Sequence, residues 1–156
     1  MEPMTVTLQP MPPERLASWI EQGHSDYVAD RMKSGETREV AEDNAARSYS
    51  SFFPDGQLLP SHRIFEVLAD GVTVGQLWIA PQLEGSDQWW VYDIEILEQH
   101  RRRGYARTAL ELGHAEARAL GAASIGLNVF GFNTGARALY EELGYEITSV
   151  QMRLPL

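Results

Sequence analysis

Apolar and polar residues alternate through MTVTLQPM, residues 4–11, which predicts a short strand. From Pro12-Pro13 the spacing lengthens. Leu16, Trp19, Ile20, Gly23, Tyr27 and Arg31 recur on one helical face, and Gly35 closes the segment. A second, weaker helical stretch from Thr37 carries Ala41, Ala45, Ser48 and Phe52 on one side, until PDGQLLP breaks the pattern. Period two then returns in RIFEVLADGVTVGQLWI, two β-branched and aromatic runs around Asp70-Gly71. That dipeptide tolerates positive φ, so the pair predicts a tight antiparallel hairpin. WWVYDIEIL, residues 89–97, predicts a long strand with Val91, Asp93, Glu95 and Leu97 facing one way and Trp90, Tyr92, Ile94 and Ile96 the other.

Beyond Gly104, helical spacing resumes in Ala106, Leu110, Gly113, Ala117 and Leu120, with Gly121 placed to end the helix in a left-handed conformation. SIGLNVF follows as a buried-looking strand. Ala136, Leu139, Tyr140 and Leu143 then share one face of a short helix stopped by Gly144, and YEITSVQMRL closes the chain as a strand. The order β, α, α, β-β-β, α, β, α, β describes an α/β or α+β sheet layered with helices, in which Trp89 to Phe130 is the clear strand-helix-strand crossover. No repeat, low-complexity tract or linker interrupts it, so residues 1–156 are expected to form one domain.

Composition narrows the chemistry. The chain is 44% hydrophobic and 22% charged, ordinary for a globular domain, with a formal net charge of -9. A sequence pI near 4.8 argues against nucleic acid or an anionic membrane surface as a general partner. Any anion must be met locally. Cysteine is absent, which excludes disulfides, thiolate metal ligands and a cysteine nucleophile. With no secretory h-region after Met1 and no apolar run near the ~20 residues of a membrane span, a soluble cytoplasmic protein is expected. His62, His100 and His114 show no metal-ligand spacing, so surface or packing roles are expected for them and no metal is called for.

Against that acidic background, EQHRRRGYARTAL places three consecutive arginines before a glycine and a helix. A strand that turns through glycine into a helix leaves backbone N–H groups pointing together at the positive end of the helix dipole, a natural seat for phosphate. Gly104 admits a close approach of the backbone, Ala106 keeps the first turn thin, and Arg101, Arg103 and Arg107 supply positive charge nearby. The plain alternative is a solvated arginine face with Gly104 relieving a turn. GxxxxGK[ST] is absent, as is GxGxxG at this strand end, so the triphosphate and dinucleotide loops are excluded.

DIEILEQHRRRGYARTAL followed by LNVFGFNTGARALYEELGYE resembles the acetyl-CoA-binding core of the GNAT family of N-acetyltransferases, whose pyrophosphate loop reads [RQ]-x-x-G-x-[GA]. Arg101, Gly104 and Ala106 occupy its defining positions. Asn133 and Leu139 to Tyr145 match the later element, and the likeness covers roughly residues 89–146. Arg102 departs from it, standing where many relatives carry a second glycine. The resemblance implies a mixed, mostly antiparallel sheet of about seven strands flanked by about four helices, its fourth and fifth strands splayed to admit pantetheine. It implies residues 89–146 as the acetyl-CoA core and 1–88 as the acceptor side.

By the same resemblance, the backbone N–H groups of Ile94 and Ile96 face the acetyl carbonyl and pantetheine, and the loop from Arg101 through Arg102, Arg103, Gly104, Tyr105, Ala106 and Arg107 holds the pyrophosphate. Asn128 bonds the pantetheine amide, and Asn133 either binds cofactor or caps the helix that follows. Tyr140 resembles the family's helix tyrosine, the general acid toward the departing sulfur; by periodicity alone it completes an apolar stripe. Asp93 and Glu95, two apart on a strand with apolar flanks, are the candidate bases, Glu95 first, the alternative being pairing with arginines or partial exposure. Trp78, Trp89, Trp90 and Tyr92 either line a substrate cleft or form core. The expected activity is acetyl transfer to an amine-bearing small molecule or peptide, with a homodimer as a further possibility. Two rivals are a non-catalytic acyl-CoA sensor and a nucleotide or sugar-phosphate module.

Overall fold

A computed structural model describes residues 4–156; residues 1–3, where the expected domain span begins, lie outside it. The chain divides into two compact units. One comprises residues 4–13 with Pro60–Asn128, the other Glu14–Leu59 with Val129–Leu156.

The first unit is a five-stranded sheet of order β1-β2-β3-β4-β5: Val6–Pro10, Arg63–Ala69, Val72–Pro81, Gln88–Ile96 and Ser124–Leu127. The first three pairings are antiparallel and β4 with β5 is parallel, so the sheet is mixed but mostly antiparallel. Asp70 and Gly71 take φ of 49° and 81°, the two positive values that a tight primed hairpin turn requires. α3, Tyr105–Ala119, is the crossover from β4 to β5 and buries Tyr105, Ala109, Leu110, Gly113 and Ala117. Leu77, Ile79 and Val67 are among the most deeply buried side chains of the sheet. Gly121, at φ 99°, ends the helix in the left-handed conformation expected.

Pairing along β4 departs from simple alternation. Trp78 pairs with Asp93 and Ile79 with Val91, so Tyr92 is an extra residue, a β-bulge. The bulge regroups the side chains. Val91 shares a face with Ile94 and Ile96, while Trp90 and Tyr92 join Asp93 and Glu95, which corrects the expected two-face grouping. β5 is also shorter than SIGLNVF suggested, ending at Leu127 and only half-buried. It pairs with β4 over Gln88–Val91 alone, and among the described residues no strand lines that edge of β4 beyond Val91.

The second unit is helical. α1 is Pro13–Lys33, α2 is Arg38–Phe52 with Thr37 as its N-cap, and α4 is Thr134–Glu142. Val28, Ala41 and Ala45 form its core, with Tyr27 and Met32 packed against them. Arg31 grips Glu36 through two bonds, at 2.8 and 2.6 Å, and donates to the Tyr27 hydroxyl at 2.7 Å, which fastens the turn between the helices. Glu36 is held below its usual carboxylate range chiefly by that guanidinium bond. YEITSVQMRL, residues 145–154, forms no strand, contrary to expectation. All the strands among the described residues lie in the first unit. Among the described residues five strands and four α-helices stand where about seven and about four were expected; the class is unchanged.

Candidate active site

The bulge at Tyr92 fixes which backbone groups of β4 reach the open edge. Before it, Gln82 N–H donates to the Gln88 carbonyl at 2.9 Å; after it, Leu97 N–H donates to the Val74 carbonyl at 2.8 Å. Alternate residues of an antiparallel strand turn their polar groups to opposite neighbours. Gln88 and Trp90 therefore face β3 and Trp89 and Val91 face β5, whereas past the bulge Ile94 and Ile96 are the residues turned away from β3. Their N–H and C=O groups are directed to the edge that β5 leaves open. Without the extra residue the phase would be reversed.

The arginine-glycine turn follows at once. Arg101 folds back on the strand it leaves, its Nε donating to the Ile96 carbonyl at 2.7 Å and its Nη2 lying 4.0 Å from Glu95 Oε1. Arg102 holds a left-handed φ of 65°. A non-glycine residue is disfavoured there, so the backbone at Arg102 is strained. Gly104 has φ of 80° and is the N-cap of α3 without a side-chain cap. Thr108 N–H bonds back to the Gly104 carbonyl at 3.2 Å, so the N–H groups ahead of it have no acceptor within the helix. A Cβ at Gly104 would meet nothing within 4 Å, and Arg102 and Arg103 are exposed beside it. This donor set suits the phosphates of CoA, and the outward polar groups of Ile94 and Ile96 suit an amide-bearing arm. Tyr105 contributes no side chain to such a site: its ring is buried and its hydroxyl meets Met4 Sδ at 3.3 Å. Ala106 and Arg107 are half-buried on the first turn, and Asn128 lies exposed just past β5.

Asp93 and Glu95 share the sheet face opposite α3's contacts with a set of residues that periodicity concealed. Gln76 Nε2 donates to Glu95 Oε2 at 3.0 Å and reaches Asp93 Oδ2 at 3.4 Å. Glu66, 5% exposed, is the partner of Gln76 on β2. Trp78 Nε1 donates to His62 Nδ1 at 2.9 Å, and the Tyr92 ring stacks on Trp78 at 4.9 Å and on His62 at 5.8 Å, with His62 tilted against Trp78. His62 is 6% exposed, so its role is in the core and not at the surface; burial holds its pKa down although Glu84 opposes this. Accepting at Nδ1 fixes the proton on Nε2. Burial likewise raises the Tyr92 phenol. Trp78 and Trp89 are buried and Trp90 is half-buried. Sequence reasoning missed Glu66 and Gln76. Their signal was a polar residue inside an otherwise apolar run, Glu66 buried and Gln76 half-buried.

In the helical unit, Asn133 Oδ1 accepts from Ala136 N–H at 3.3 Å, the capping geometry. Ala136, Leu139, Tyr140 and Leu143 are the half-buried face of α4, as the stripe predicted. Tyr140 packs against Tyr145 with ring centroids 5.8 Å apart. Burial, and secondarily Tyr140, push the Tyr145 phenol up to about 12.

The model of the acetyltransferase (GNAT) family matches residues 21–145. The uncharacterized N-acetyltransferase YycN of Bacillus subtilis is 32% identical over 152 residues, covering 96% of this chain and 97% of its own. YdgE of the same organism is 29% identical over 156 residues, covering 98% and 99%. The crystal structure of YycN superposes with a TM-score of 0.87 at 31% identity, covering 97% of this chain and 99% of that one. An aminoglycoside N-acetyltransferase in complex with CoA shares the fold, at a TM-score of 0.59 and 16% identity over 99% and 97% of the chains. Family match and full-length kinship thus agree with the strand edge and the glycine turn: the chain belongs to the GNAT family of acetyltransferases.

Proposed function

We propose that residues 1–156 act as one domain that transfers the acetyl group of acetyl-CoA to a primary amine of a small molecule or peptide by direct attack. The observation that carries this reading is the bulge at Tyr92, which turns Ile94 and Ile96 to an open strand edge immediately before the glycine turn. Acetyl-CoA supplies a thioester carbonyl and a thiol that leaves. In this reading Ile94 N–H donates to the carbonyl oxygen as it gains charge, and Ile96 aligns the pantetheine arm. Arg102, Arg103 and the amides of Gly104, Tyr105 and Ala106 hold the pyrophosphate, with Arg107 beside them; Asn128 meets the pantetheine amide.

A primary amine with a pKa near ~10 is neutral in about one molecule in a thousand at pH 7, so attack needs a proton acceptor. Glu95 takes that role, directly or through water, with Asp93 beside it. Tyr140 gives its phenolic proton to the departing sulfur, a role assigned by its place in the family motif. No covalent enzyme intermediate enters. Localisation in the cytoplasm fits this chemistry, and no described helix is long and apolar enough to cross a membrane.

The test is thiol release from acetyl-CoA with spermidine, kanamycin and a lysine-containing peptide as acceptors. Turnover that Tyr140→Phe slows while acetyl-CoA affinity stays within about twofold supports the acid assignment. Tight acetyl-CoA binding with no turnover of any acceptor would instead favour an acyl-CoA sensor.

A further inference from the structure

We propose that Gln76 is a positioning residue for the Glu95 carboxylate; the proposal rests on the acetyltransferase reading above. Gln76 stands directly across from Glu95 on β4 and, on its other side, across from Glu66 on β2. Its neighbours Gly75, Leu77 and Trp78 are buried, and a carboxamide there needs partners. Two N–H donors on one nitrogen are what the site asks for, since they reach both carboxylates of the strand, at 3.0 Å to Glu95 and 3.4 Å to Asp93.

The geometry divides the work of the Glu95 oxygens. Oε2 is taken by Gln76, while Oε1 is turned toward Arg101 at 4.0 Å, a separation too long for a hydrogen bond. One oxygen is anchored by the amide, and the other, ion-paired with Arg101 but not hydrogen-bonded to it, is the one that can take a proton. A glutamate side chain has three rotatable bonds, and an amine must find its carboxylate within hydrogen-bond reach. A neutral amide supplies the anchor without cancelling the carboxylate charge, as a lysine at position 76 would. It also sits between two like charges that a strand with period two forces onto one face.

The test uses the full chain with acetyl-CoA and the fastest of the three amines named above, measuring kcat, both KM values and acetyl-CoA affinity. Gln76→Met keeps the volume and removes both donors; Gln76→Glu keeps the shape and replaces donors with acceptors, so that one variant serves if the other does not fold. Each is expected to lower kcat about tenfold while leaving acetyl-CoA affinity within about twofold. In a Glu95→Gln background the same change is expected to alter kcat by less than about twofold, because a residue acting through Glu95 loses its effect with it. Wild-type kcat in Gln76→Met, or a full tenfold loss added to that of Glu95→Gln, overturns the proposal while the base reading stands. Wild-type kcat in Glu95→Gln overturns the base reading, and failure of all three amines with the unaltered chain overturns the amine reading; each removes the role of Gln76 with it.

Discussion

Gly75→Ala strikes the junction on which the site depends. A Cβ at Gly75 would lie 2.0 Å from the Glu95 carbonyl oxygen and 2.9 Å from Ile96 Cδ1. Carbon and carbonyl oxygen approach no closer than about 3.3 Å, so β3 and β4 must part by more than an ångström there. The obstacle is backbone and cannot rotate away. Overpacking of this kind costs about 1–3 kcal/mol, and strain on the adjacent bond from Leu97 N–H to the Val74 carbonyl adds about 1 kcal/mol. The sum, roughly 2–4 kcal/mol, corresponds to a fall in Tm of about 4–16 °C for a chain of this size. Thermal melting followed by circular dichroism reads it, with Gly131→Ala as the control, since a Cβ there meets nothing within 4 Å. Because the displaced strand carries Ile94 and Ile96, acetyl-CoA affinity should fall with Tm. A Gly75→Ala protein that melts within about 1 °C of the wild type would refute the close strand approach, and with it the argument for the strand edge.

Three further outcomes follow from particular residues. His62 is neutral in the fold and its pKa is depressed, so its contribution to stability is complete above the unfolded value of about 6.5 and is lost as pH falls through the folded value; Tm should drop from pH 7 toward pH 5. His114 acts in the same direction, so His62→Gln, which keeps an acceptor for Trp78, should flatten the Tm profile without abolishing its slope; an unchanged profile contradicts the assignment. Gly104→Ala, at φ 80° with open space around it, should cost about 1–2 kcal/mol by chemical denaturation from conformation alone. Asn133→Ala should cost about 1 kcal/mol as a lost helix cap while leaving acetyl-CoA affinity unchanged by calorimetry; a loss of affinity without a loss of stability would assign the side chain to the cofactor.

Much of the scaffold was legible because its signals are local. Asp70-Gly71 declares its turn through the φ values it tolerates, Thr37 marks a helix start, Asn133 offers a cap, and α3 shows an apolar face at helical spacing. β4 was misread for a physical reason. Period two assigns faces only while the ladder stays in phase, and nothing in WWVYDIEIL marks Tyr92 as the extra residue; the shift arises from pairing with β3. YEITSVQMRL, residues 145–154, has apolar residues at two-residue spacing on either side of Thr148-Ser149, yet a local pattern cannot supply a neighbouring strand. The arginine-glycine turn was visible as a motif, but the return of the Arg101 side chain to Ile96 and Glu95 is a tertiary fact. His62 looked incidental because its partner Trp78 lies sixteen residues away, across the hairpin.

The most direct measurement is the backbone amide spectrum of the uniformly nitrogen-15-labelled chain titrated with acetyl-CoA. The largest shifts should fall on Ile94, Ile96, Gly104, Tyr105 and Ala106, at the open edge of β4 and the first turn of α3. Saturable binding whose shifts leave those five amides unmoved, or no binding at all, would contradict the placement of the cosubstrate on this strand and turn.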